Sequence, residues 1–295
     1  MRKELYSVLI PMVLMTGISL VSACSSSSDN TGSNTRITSL STSVGSLEGA
    51  SQIGWFSITN DSEFDSVFAS SIFFEAPANL QDNVAAMALT MQADTCVVEA
   101  DLQLEAPLFE DRLLNDYVSV SAGEVLTLTS PNGTYGELTR LDVQNGLMYL
   151  SLSDLAYPGP DSLTITIPGD QFVAASLTID KPASVEEFTI SNINAEDGTI
   201  KTGTTFSWNA TTNLDTLLSV TLLDADSDFN PDNSFTASCL MVDDGEFTLP
   251  ESVFIDANAI LGSEARIRVA GVSRSRATAF RSGADVWVAI YNDSN

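Results

Sequence analysis

The residues whose type and spacing could do chemistry are few. Asp224-Ala225-Asp226-Ser227-Asp228-Phe229-Asn230-Pro231-Asp232-Asn233 sets oxygen ligands at alternate positions, which is how a chain surrounds a hard cation such as calcium. Asp224, Asp226, Asp228 and Asp232 are the candidate ligands, and calcium is the one cofactor the sequence suggests. A solvated loop joining two strands accounts for the same residues. The other charged cluster is positive: Arg266, Arg268, Arg274, Arg276 and Arg281. It reads as a docking face for an acidic protein partner, a phosphate or a polysaccharide, or as cross-strand pairing with the surrounding acids. Catalytic chemistry finds little support. The chain has no histidine, which removes Ser-His-Asp and Cys-His mechanisms, the usual zinc ligand sets and the ordinary general base at neutral pH. No Gly-rich phosphate loop or HExxH arrangement occurs, and neither Lys181 nor Lys201 sits in an SxxK spacing. A hydrolase built on two carboxylates is compatible with the residue types. With 39 acids in the chain some will always look paired, so that observation decides nothing.

The acidic loop departs from an EF-hand in two places. Phe229 stands where the turn glycine belongs, and the twelfth position is Phe235 rather than glutamate. Asp243-Asp244-Gly245 is more simply a tight turn than a ligand set.

Upstream of these residues the chain carries an address. Arg2 and Lys3 precede the apolar run Val8–Met15, and small residues Ser22 and Ala23 stand just ahead of Cys24. Charged, apolar and small-residue regions in that order make a secretory signal, and Pro11 and Gly17 interrupt the run too early for a membrane span. With Cys24 directly after Leu20-Val21-Ser22-Ala23, the segment resembles the lipobox of bacterial lipoproteins. The resemblance implies cleavage after residue 23, a diacylglyceryl group on the Cys24 thiol, and a membrane partner reached through that N-terminal lipid. In a Gram-negative host Ser25, rather than aspartate, after the lipidated cysteine implies the outer membrane. The expected location is therefore the cell envelope.

Removing Arg2, Lys3 and Glu4 with the leader leaves 10 basic and 38 acidic residues, a formal charge of −28. Such a surface repels nucleic-acid phosphates and anionic headgroups, so nucleic acid is excluded as a partner bound by charge. It suits divalent cations, basic partners or high salt. Ser25–Thr35 holds no apolar side chain and reads as a flexible tether reaching roughly 18 Å.

From Ile37 onward the dominant period is two, which predicts an all-β chain of two antiparallel β-sandwich-like domains. The boundaries read as leader 1–23, lipidated cysteine and tether 24–35, an N-terminal β domain 36–182 and a C-terminal domain 183–295. Strands are expected at Ile37–Ser43, Gln52–Thr59, Ser66–Phe74, Met87–Met91 and Thr95–Leu104, with a loop or short helix at Leu108–Asp116. Pro131-Asn132-Gly133 and Asn145-Gly146 mark tight turns, so residues 124–153 read as a three-stranded meander. Leu163–Ile167 follows. Beyond Lys181-Pro182-Ala183, strand signals at Glu187–Ile193, Thr204–Ala210, Leu217–Leu222, Phe235–Val242, Glu246–Leu249, Ala265–Val272 and Asp285–Tyr291 suit an immunoglobulin-like or fibronectin-type-III-like sandwich. Phe206-Ser207-Trp208 resembles the core aromatic of such domains.

Once Cys24 is lipidated, Cys96 and Cys239 remain as an even pair for an oxidising compartment. A bond between them would staple the two domains across their interface; the alternative is one buried thiol in each. Aromatics for sugar stacking are few, and a carbohydrate site would need Trp55, Tyr117, Tyr135 or Tyr157 exposed beside acids. The function expected is a non-enzymatic structural, adhesion or protein-interaction module, with calcium or glycan binding as the alternative.

Overall fold

The computed structural model describes residues 50–76, 94–100, 118–143, 146–211, 216–225, 235–262 and 265–294. The strands expected at Ile37–Ser43 and Met87–Met91, the end of Thr95–Leu104 and the short element at Leu108–Asp116 lie outside them. So do Cys24, the tether, Tyr117 and Asn145.

Among the described residues the fold is all-β with one helix. Fifteen strands run in chain order: β1 Gln52–Asp61, β2 Ser66–Glu75, β3 Thr95–Ala100, β4 Val125–Ser130, β5 Gly133–Val143, β6 Gly146–Leu150, β7 Ser162–Ile167, β8 Ala175–Asp180, β9 Thr189–Ile190, β10 Thr205–Ser207, β11 Thr216–Asp224, β12 Phe235–Val242, β13 Glu246–Thr248, β14 Ile267–Ser282 and β15 Asp285–Ser294, with helix α1 at Glu251–Leu261 between β13 and β14. Twelve strands form one sheet in the order β3-β12-β11-β14-β15-β1-β2-β6-β5-β4-β7-β8, and β13-β10-β9 form a second. The predicted meander is present as β4-β5-β6, where Gly133 supplies the positive φ of 121° that the first turn requires.

Two apolar cores flank the linker around Pro182. Alternation directs Phe56, Ile58, Phe73, Leu126, Leu128, Leu138, Tyr149, Leu163 and Ile165 into the first. Its aromatic centre is Phe73, whose ring meets Tyr149 edge-on at 5.4 Å and Phe172 at 4.8 Å. Gly54 lies between Phe73 and Trp287 in register. A Cβ there would come within 2.8 Å of both rings, so the glycine is what lets the two aromatics close over β1. The second core collects Leu218, Val220, Leu222, Phe235, Ala237 and Met241 from the large sheet, Phe206 and Phe247 from the small one, and Val253, Phe254 and Ala257 from α1.

The chain does not partition cleanly between these cores. Strand β15 closes the C-terminal end by pairing in parallel with β1, so Trp287, Ala289 and Tyr291 are buried in the first core. Conversely β3, from the N-terminal half, pairs with β12 and sets Cys96 and Val98 against the second core. The sixteen-residue β14 joins the halves: Ile267–Arg276 pairs with β11, and Ser273–Ser282 pairs with β15.

Candidate functional site

The linker Lys181–Ser184, the middle of β14 and the end of β15 meet in a charged seam. Asp293, 2% exposed, takes a hydrogen bond from Asn60 Nδ2 at 2.6 Å and one from Ser184 Oγ at 2.9 Å, with Lys181 Nζ 3.1 Å away. Arg274 is 1% exposed; its guanidinium lies 3.2 Å from each oxygen of Asp243 and donates to the carbonyls of Ala183, Ser184 and Asn209. Asp243 also accepts from Trp208 Nε1 at 2.8 Å and Thr211 Oγ1 at 2.6 Å. Arg276 reaches Asp180 at 3.2 Å. Three cations thus face three carboxylates. The Arg276–Asp180 pair stays near solvent, whereas the charges of Arg274, Asp243 and Asp293 are tolerated away from water because each is paired and hydrogen-bonded. Chemically the seam fixes the linker through its paired charges.

A bulge in β14 builds this seam. Leu222 pairs with Val269 and Thr221 with Gly271, so Ala270 is an extra residue. Before it, Ile267 is buried and Arg266 and Arg268 are exposed; beyond it Arg274 pairs with the fully buried Leu218 and turns inward. The five arginines therefore do not form one docking face. Arg266 and Arg268 stand outside, with Arg266 3.0 Å from Asp197. Arg281 is exposed near the end of the strand. Arg274 is removed from the docking set altogether, because its surroundings leave it nothing to present. Asp197 is held below the usual carboxylate range by the hydroxyl and amide of Thr199, then by Arg266.

The acidic loop is placed only at its start. Asp224 ends β11, opposite Ile267, while Asp226, Asp228 and Asp232 lie outside the described residues. Among the described residues no group of three His, Cys, Asp or Glu side chains is arranged to hold a metal. Asp243, read from the sequence as part of a turn, is the buried partner of Arg274; the signal for that role was Trp208, whose indole N–H needs an acceptor when buried.

Cys96 and Cys239 form a disulfide, at directly opposed positions on β3 and β12. It does not span an interface between two cores. Because β3 belongs beside the second core, the bond clips an edge strand to its neighbour, with the Cys239 side chain fully buried.

Of the aromatics considered for sugar stacking, Trp55 is buried beside β2 and β15 and Trp208 and Trp287 are also inside. Tyr135 is half-buried, donates to the Ala156 carbonyl at 2.6 Å and has its pKa pushed up to about 12 by burial. Tyr157 is 37% exposed, between the exposed acids Asp154 and Asp161. No protein-family model matches the chain, and no curated protein matches its sequence.

Proposed function

We propose that the chain is a lipid-anchored protein of the cell envelope that works by binding, as a structural, adhesion or protein-interaction module, and performs no catalysis. The observation that carries the reading is the order of residues ahead of Cys24: an n-region, an apolar run, two small residues and the thiol. The disulfide supports it, since such bonds persist outside the reducing cytosol. On this reading each core is closed in the manner of a β-sandwich, the chain passing from the first to the second near Pro182 while β3 and β15 are exchanged between them.

Fractionation of cells producing the full chain tests the anchor. The protein is expected in the membrane fraction, resistant to high salt and released by detergent. Cys24→Ser should shift it to the soluble extracytoplasmic fraction. Equal membrane association of the variant would refute the lipid anchor.

A further inference from the structure

We propose that the end of the fold where β1 turns into β2 binds an arginine- or lysine-rich segment of a partner protein, through exposed aromatic rings set among carboxylates. The proposal rests on the anchored, binding role above and names the partner's chemistry. Strand β1 starts beside the β14–β15 turn, where the Ser51 amide donates to the Ala284 carbonyl. Strand β1 then runs ten residues, about 30 Å, to the turn at its far end. Phe64 in that turn is 57% exposed and Phe68, just after it on β2, is 39% exposed.

The loop carrying Tyr157 is tied to the same end. Gly159 N donates to Asn60 Oδ1 at 2.8 Å, and Tyr291 Oη donates to the Pro160 carbonyl at 3.1 Å. Two of the exposed large side chains, Phe64 and Tyr157, are thus aromatic and lie where β1 ends, while Phe68, paired with Thr59, stands on the sheet face opposite Asn60. The turn itself is held by Asp61, whose carboxylate accepts from the amides of Glu63 and Phe64, so Phe64 is presented on an ordered backbone.

Around the rings stand Glu63, Asp65, Asp154 and Asp161, all exposed. Among the described residues none of the four is in an ion pair. Lys181, whose amide donates to the Asp161 carbonyl, has its ammonium committed to Asp293. Aromatic faces attract cations, arginine guanidinium above all, and the carboxylates supply matching charge. The same acids repel anionic glycans and lipid headgroups.

The test uses the full secreted chain and a twelve-residue alternating arginine–glycine peptide at physiological ionic strength. Phe64→Ala with Tyr157→Ala leaves the net charge unchanged and is expected to weaken binding at least tenfold. Neutralising Glu63, Asp65, Asp154 and Asp161 to their amides should do the same, whereas neutralising Glu186, Glu196, Glu246 and Asp256 on the other half should change it less than threefold. The second comparison stands even if the aromatic variant misfolds. Equal loss from both neutralised sets, or none from the aromatic pair in a folded variant, would reduce the binding to general attraction by an acidic surface and overturn the proposal. Aromatic-dependent binding of cellohexaose with no aromatic dependence for the peptide would overturn it in favour of a neutral glycan. Membrane fractionation of Cys24→Ser is independent of all these outcomes, so failure here leaves the anchor standing.

Discussion

Arg274 shows how one side chain can be costly and indispensable together. Its charge is buried beside Asp243, and it also satisfies three carbonyls of the linker and the β10–β11 connection. Arg274→Met keeps most of the volume but leaves Asp243 ionised and uncompensated. The expected loss is about 3–5 kcal/mol, read as a drop in the urea midpoint; a change under about 1 kcal/mol would mean the seam is slack. The buried tyrosines set the alkaline limit. Burial raises the pKa of Tyr149, whose hydroxyl donates to the Gly123 carbonyl and accepts from the Ala122 amide, and likewise raises Tyr135 and Tyr291. A pKa higher in the folded state means stability is fully present below the ordinary tyrosine value of 10.0 and is lost as pH rises through the folded values. Melting temperature should therefore fall steeply above about pH 10, with the tyrosinate absorbance of Tyr135, Tyr149 and Tyr291 appearing only as the protein unfolds.

At the scale of elements, the disulfide acts on a strand rather than on an interface. Cys96 and Cys239 are separated by 143 positions, and closing so long a loop stabilises by up to about 5 kcal/mol on the chain-entropy model. Replacing both with alanine should lower the melting temperature clearly and speed amide exchange first in β3 and β12; an unchanged exchange rate there would show that the ladder alone holds the edge. Local alternation made most strands legible. Phe235–Val242 agrees at both ends, and Gln52–Thr59 and Ser66–Phe74 nearly so. Other features were missed for physical reasons. Strand β8 is short, and of its residues only Ile179 is buried. In α1 the buried Val253, Phe254 and Ala257 fit a helical face framed by Pro250 and Gly262, yet eleven residues barely outlast a strand pattern. Within β14, Ala270 breaks the period of two, and nothing in the local sequence announces a bulge. Pairing of β1 with β15, and of β3 with β12, joins residues more than 130 positions apart and is invisible to any local pattern.

Those long-range pairings decide how the whole molecule behaves. The first core needs Trp287, Ala289 and Tyr291 from the end of the chain, and the second has β3 from the N-terminal half beside it. A fragment of residues 36–182 should therefore fail to fold alone, and the intact ectodomain should melt in one cooperative transition; a native-like near-ultraviolet spectrum from that fragment would contradict the architecture. Such coupling suits a rigid body, which on the proposed reading is tethered through Cys24 and offers the Phe64–Tyr157 end to its partner. The claim on which this picture depends is the modified N-terminus. Mass spectrometry of the protein extracted from membranes of a producing bacterium should find a chain beginning at Cys24, with residues 1–23 gone and the mass of a diacylglyceryl group added to that residue. A mature chain beginning elsewhere, or an unmodified Cys24, would contradict it.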